Sequence, residues 1–254
     1  MTPAPPLPER PRPGSLRPTD ARGDAQLVLA VLAGDASAFE AIMRRHNRLM
    51  FRTARSLVDD DAEAQDVVQE SYLRAFTAMA AYRGEAALST WLVRIAIHQA
   101  ISAQRRKGRL VLLHEPQPRD GAASDAESDA ENAMSIPESS ASAQPETPEA
   151  RTLQAQTRLL LERAIGQLPP IYRSVFMLRA VEELSVDDTA AALAVSQEVV
   201  KTRFLRARAM LRELLQADIH LPPREVYAFA GERCDEVVGS VLAALQARGL
   251  IRPH

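Results

Sequence analysis

Cysteine is almost absent from this 254-residue chain. The single residue, Cys234, rules out an internal disulfide framework. Aromatic residues make up only 4%, with one tryptophan, Trp91. Ten glycines are too few for an all-β chain built on many tight turns. No apolar run approaches the roughly 20 residues needed to cross a bilayer, and residues 1–18 are rich in proline and arginine without an apolar leader segment. A cytoplasmic chain without membrane insertion is therefore expected. A phosphate-binding glycine loop, a metal-ligand cluster and a nucleophile constellation are also missing, so neither enzymatic chemistry nor a metal or cofactor is expected. His46 and His98 lack spaced partners, and His220, Cys234 and His254 fit no recognised zinc spacing.

What is plentiful is alanine, leucine and arginine, a mixture that favours helices over sheets. Basic and acidic residues nearly balance at 31 to 33, which by itself argues against a nucleic-acid binder. Their distribution argues the other way. Between His114 and Ala150 stand nine acidic residues and one basic residue, Arg119, and removing that stretch leaves both flanks mildly basic. Local clusters outweigh the global sum because the Debye length is about 8 Å at physiological salt.

Composition divides the chain into a proline-rich tail (1–23), a helical domain (24–110), a flexible acidic linker (111–151), a second helical domain (152–217) and a C-terminal helical extension (218–254). In the first domain, Ala25–Ala33 and Ala36–Leu57 are helix candidates separated by Gly34-Asp35. A third runs from Asp61 to about Tyr82 behind an aspartate cap at 59–61, and a fourth from Ser89 or Thr90 to the basic run Arg105-Arg106-Lys107. In the second domain, Leu159–Gln167 stops at Pro169 and Ile171–Val181 follows. Ser185 then caps Val186–Leu193, and after a break at Ala194-Val195-Ser196 the long helix Gln197–Leu215 begins. A capped helix, a short turn and a longer basic helix form the helix-turn-helix pattern. The extension reads as one amphipathic helix, Glu232–Arg248, with Val237, Val241, Leu242 and Leu245 on its apolar side; it is expected to pack on the second domain or to regulate access to it.

On the last helix of the second domain Val200, Phe204, Ala207 and Leu211 make the apolar stripe. Ser196, Gln197, Glu198, Val199, Lys201 and Thr202 lie where a docked recognition helix meets base edges. Glutamine and lysine can bond purine edges there, and glutamate can accept from cytosine. Arg203, Arg206 and Arg208 suit phosphates, which position the helix without specifying sequence. An isolated charge run would read as a solvated face; the capped helix and turn before it favour duplex contact.

Asp66-Val67-Val68-Gln69-Glu70, continued by Tyr72-Leu73-Arg74-Ala75-Phe76, resembles the signature of the region-two helix of the sigma-70 family of RNA polymerase sigma factors. Ser89-Thr90-Trp91-Leu92 with Arg94-Ile95-Ala96 is similar to the segment just downstream in that family. Leu168-Pro169, Tyr172-Arg173, Val200-Lys201-Thr202-Arg203 and Arg206-Ala207-Arg208 resemble region four. The order is right, the matches span most of residues 24–216, and the absence of the longer members' other regions points to the small extracytoplasmic-function (ECF) group. The resemblance implies an all-α protein of two small helical domains, the region-two bundle and the region-four helix-turn-helix, and two partners, promoter DNA and the β and β′ subunits of RNA polymerase core. An anti-sigma protein is a common further partner in the family.

On this likeness Asp66, Gln69, Glu70 and Leu73 would bind core polymerase, as an acidic surface with an apolar centre. The loop 82–89 would capture flipped bases of the minus-ten element. Single-stranded promoter contacts would come from Tyr82, Arg83, Trp91, Arg94, Arg105, Arg106 and Lys107, although Trp91 by itself reads as core. The acidic linker would thread polymerase channels in place of RNA. Gln65, His98 and Val199 depart from the family's pattern, the last two at DNA-contacting positions. A conventional helix-turn-helix regulator would explain residues 159–215 but not the Asp66–Phe76 signature.

Overall fold

Gly34 bends the chain at φ +93° between the first two helices, α1 (Asp24–Leu32) and α2 (Ala36–Arg55). Asp35 then starts α2 by accepting from the backbone N–H groups of Ser37 (2.9 Å) and Ala38 (3.2 Å). The Ser37 hydroxyl also donates to it, which is the main reason its carboxyl is held below the ordinary carboxylate range. The computed structural model describes residues 21–108, 148–215, 226–227, 229 and 231–252. The tail up to residue 20 and the acidic stretch expected to thread polymerase, save for its residues 148–151, therefore lie outside the described residues.

Asp60, the middle residue of the aspartate run, caps α3 (Asp61–Ala78) through the Glu63 N–H at 2.7 Å. A 3-10 turn, Met79–Ala81, and a loop lead to α4 (Leu88–Arg106). Phe39 on α2 meets Tyr72 and Phe76 on α3 edge-on, with ring centroids 6.2 and 5.0 Å apart. Around them Ile42, Met43, Met50, Val68, Leu92 and Ile97 are fully buried, the apolar stripes of α2, α3 and α4 meeting in one core.

The second domain begins with α5 (Pro148–Gln167), which starts earlier than the expected Leu159. Proline at the first helical position needs no N–H bond there, and Glu149 favours the first turn, so the helix nucleates in what composition marks as linker. Pro170 likewise opens α6 (Pro170–Phe176), which runs into a π turn, Met177–Val181. Ser185 accepts from the Asp188 N–H (2.9 Å) to cap α7 (Val186–Leu193), and Ala194 closes α7 in the left-handed region at φ 55°. The helix α8 (Gln197–Leu215) follows, capped by Ser196 through the Val199 N–H at 3.4 Å. Among the described residues there is no strand, in agreement with the all-α expectation.

The two domains pack on one another, and their buried residues form a continuous apolar cluster. Arg173 of α6 donates from Nε to the Ser56 carbonyl (2.7 Å) and pairs with Asp59 (3.4 Å). Burial pulls its pKa down and Asp59 opposes that pull. Arg52 of α2 makes a 2.7 Å ion pair with Glu182, the two side chains 3% and 8% exposed. Along α4, α7 lies in contact, with the Thr90 hydroxyl donating to Asp188 at 3.0 Å.

The extension departs from expectation. Its helix α9 (Glu232–Ala247) packs on α2 and α3 of the first domain, not on the second. The physical reason is an aromatic seat: Phe229, just before α9, stacks on Phe51 of α2 at 4.3 Å and 17°. No helix among the described residues is long and apolar enough to cross a membrane.

Candidate nucleic-acid and polymerase interfaces

Three surfaces gather the residues singled out in the sequence. The first is on α3. Asp66, Gln69, Glu70 and Leu73 follow the i, i+3, i+4, i+7 spacing that places them on one face. Asp66 is exposed, Gln69 and Glu70 are half-buried, and Glu70 pairs with Arg74 at 3.6 Å. Leu73 is half-buried and rests partly on the core, so its apolar contribution to that face is an edge. The face is acidic and anchored by a rigid helix, which suits a basic helical partner.

The second surface is the loop 82–87 with the start of α4. Tyr82 and Trp91 form a tilted aromatic pair with centroids 5.3 Å apart, both half-buried. The Tyr82 hydroxyl donates to the Ala86 carbonyl at 2.7 Å, and Gly84 turns the loop at φ +74°. Burial raises the Tyr82 phenol pKa, with Asp24 adding to it, so the group stays a neutral donor. Trp91 is half-buried: it packs against the core and pairs with Tyr82. Arg83 and Arg94 are exposed near this pair. Arg105, Arg106 and Lys107 are exposed at the far end of α4, where Lys107 reaches the buried Glu63 at 3.0 Å. An unpaired base could stack on such a pair while the arginines hold its backbone.

The third surface is the start of α8. Ser196, Gln197, Glu198, Lys201 and Thr202 are exposed, and Val199 is half-buried. The Gln197 amide donates to Asp187 of α7, tying the helix-turn-helix pair together. The Glu198 carboxyl is held below its ordinary range, first by its own backbone N–H and then by Ser196.

The three arginines grouped as phosphate contacts divide. Arg206 is exposed and donates to the Tyr172 hydroxyl at 3.1 Å. Arg208 is half-buried, its guanidinium 5.9 Å from the centre of the Phe204 ring. Arg203, by contrast, is only 8% exposed and faces inward. The helix turns 100° per residue, and position 203 falls beside Val200 and Ala207 on the packed side. Phe204, expected in the apolar stripe, is half-buried with Arg179 and Arg208 both near its face.

The inter-domain contacts of Arg52, Arg173, Tyr227 and Phe229 escape sequence reasoning. The only visible signal is Tyr172-Arg173 as a family motif, and it does not say what the arginine binds. Among the described residues no group of three or more His, Cys, Asp and Glu side chains could hold a metal.

Residues 42–110 match the family model described as Sigma-70 region 2, and residues 158–211 match the one described as Sigma-70, region 4. The RNA polymerase sigma-H factor of Pseudomonas aeruginosa is 33% identical over 194 residues, covering 76% of this chain and 94% of that one. The ECF RNA polymerase sigma factor SigM of Mycobacterium tuberculosis is 31% identical over 194 residues, covering 76% of this chain and 85% of its own length. Among solved structures, CnrH in complex with the cytosolic domain of CnrY has a similar fold, with a TM-score of 0.51 at 24% identity over 77% of this chain and 99% of that chain.

Proposed function

The chain belongs to the sigma-70 family of RNA polymerase sigma factors, in its ECF group, and from that premise we propose how its surfaces divide the work of initiation. Its activity is that of a promoter-recognition subunit: it joins RNA polymerase core and directs transcription from promoter DNA, with no enzymatic reaction of its own. Asp66, Gln69, Glu70 and Leu73 on α3 dock core polymerase. Tyr82 and Trp91, with Arg83, Arg94 and the basic end of α4, take the melted minus-ten strand. The exposed start of α8 reads the minus-thirty-five element as duplex.

The observation that carries this division is the contrast between a half-buried aromatic pair on one domain and an exposed polar helix start on the other. Stacking a flipped base needs a π surface, whereas reading a major groove needs protruding donors and acceptors. The bacterial cytoplasm, where core polymerase works, is the expected location. A regulon tied to stress or the cell envelope fits the named relatives. An anti-sigma protein is a further expected partner, as the family resemblance implies.

Run-off transcription with purified core polymerase over a genomic promoter library tests the function. Discrete start sites that require this chain are expected. Their absence, together with operator binding by the chain alone, would overturn it in favour of a conventional repressor or activator.

A further inference from the structure

The C-terminal extension is outside both matched regions, yet its apolar side is packed into the molecule. Val226, Tyr227, Phe229, Val237, Val238, Val241 and Leu245 are all 7% exposed or less. Its contacts run in two directions. Toward region two, Phe229 stacks on Phe51 and Arg233 lies over both rings, 5.1 and 5.8 Å from their centres. Arg233 also pairs with Asp61 (2.6 Å), Asp235 with Arg44 (2.6 Å), and Asn47 donates to the Cys234 sulfur at 2.9 Å. Toward region four, Tyr227 donates from its N–H to the Glu162 carboxylate (2.8 Å) and from its hydroxyl to the Glu162 carbonyl (3.1 Å). The same residue accepts from Arg52 through its carbonyl at 3.3 Å and lies under Arg55 at 5.0 Å. One tyrosine thus touches both domains.

The two directions differ in kind. The α9 seat on α2 and α3 has an apolar centre, Phe229 on Phe51 with Val237, Val241 and Leu245 buried, rimmed by the Arg233–Asp61 and Arg44–Asp235 pairs. The seam to α5 is polar, beside a cavity of about 400 Å³ lined by Arg55, Arg158, Arg163 and Arg233 with Asp61 and Glu162. The seam can open in water; the seat resists opening.

The covalent connection makes this difference consequential. Only residues 216–225 join the end of α8 to the docked segment. Ten residues span at most roughly 35 Å when fully extended. Two promoter elements about 25 base pairs apart lie roughly 85 Å apart along the duplex, at about 3.4 Å per pair. While α9 is seated, region four stays within a short radius of region two. It also rests against α4 through α7 and the Thr90–Asp188 bond, beside the Trp91 surface.

We propose that residues 226–252 are a built-in latch, resting on the sigma reading above: seated on α2 and α3, α9 holds region four against the promoter-melting helix, and its undocking opens the chain to both promoter elements. The latch takes the part of an intramolecular antagonist. A chain that spends only a small fraction of its time open has its apparent promoter affinity reduced by that fraction.

The full chain offers a direct test, because Cys234 is its only cysteine. In the Asn47→Cys variant, mild oxidation of the free protein should form a 47–234 disulfide, visible by mass and by non-reducing gel mobility. Failure to form it would overturn the seat. With core polymerase on a two-element promoter, the oxidised variant should initiate about tenfold less than the same protein reduced, as expected when the open fraction is removed. Equal initiation by both forms would overturn the latch. The Tyr227→Ala/Phe229→Ala chain should do the reverse: a longer inter-domain distance by fluorescence energy transfer, with tighter duplex binding by the free protein. An unchanged distance with helical content intact would also overturn it. If no form initiates at any promoter, the sigma reading fails, while crosslinking and inter-domain distance still judge the latch.

Discussion

Region two and region four present the groups proposed to handle DNA in opposite constructions. In region two the proposed stacking surface is set into the fold: Tyr82 and Trp91 are half-buried, paired at 5.3 Å, and braced by the Tyr82–Ala86 bond, with exposed arginines around them. In region four the proposed contacts stand on the outside, with Gln197, Glu198, Lys201 and Thr202 exposed on the first turns of α8 and only Val199 partly covered. The difference follows from the substrate. A melted base must be held by surfaces that exist before it arrives, because unstacking it costs a few kcal/mol. A duplex presents its edges already, and the protein needs only to insert a convex helix with the right donors.

The strongest way to break this comparison is to uncouple the two regions. Arg52→Ala leaves Glu182 buried without its 2.7 Å partner. Chemical denaturation should show a loss of about 3–5 kcal/mol, with the transitions of the two regions separating. A loss below about 1 kcal/mol, the range of an exposed pair, would mean the regions are not held by this bond.

The next pair of changes sharpens the contrast itself. Trp91→Ala should weaken binding of a single-stranded minus-ten oligonucleotide to holoenzyme by about 1–3 kcal/mol, the value of one stacked base. Duplex minus-thirty-five binding should be unaffected. Gln197→Ala should do the opposite, costing about 1–3 kcal/mol on duplex and relaxing preference at one base pair. Equal losses on both DNA forms from either variant would erase the division of labour.

Smaller effects probe the scaffolds. His46 on α2 is buried, and that burial lowers its pKa although Asp24 stands 3.3 Å away and acts to raise it. The unfolded chain therefore takes up the proton first. This contribution to stability is complete above the ordinary histidine pKa of about 6.5 and is lost as pH falls from there toward the depressed folded value. His46→Gln should flatten that part of the stability profile, measured by denaturation at a series of pH values. The smallest effect belongs to region four. Ala194 occupies a left-handed backbone at φ 55°, where a β-carbon costs about 1 kcal/mol. Ala194→Gly should therefore raise the melting temperature of region four slightly without moving α8.

Much of the candidate site is legible in the sequence because it is local. Asp35, Ser185 and Ser196 cap the helices they precede, and Asp66, Gln69, Glu70 and Leu73 share a face because they sit at helical spacing on α3. Gln197, Glu198, Lys201 and Thr202 come forward because they lie off the apolar stripe that Val200 begins. Arg203 shows where this stops. A one-dimensional pattern groups it with the other arginines, while three-dimensional packing against α8's neighbours turns it inward to 8% exposure.

The sequence by itself determined that the chain is helical, that it carries two regions in sigma order, and which of its side chains have the chemistry to touch DNA. Those properties arise from contacts between residues a few positions apart, where backbone geometry allows few answers. Only the tertiary structure decided that Arg173 reaches across to Ser56, that Arg52 is neutralised by Glu182, and that α9 rests on region two with Phe229 against Phe51. These partners are more than a hundred positions apart. Nothing periodic links them, and what selects them is the fit of one folded surface to another.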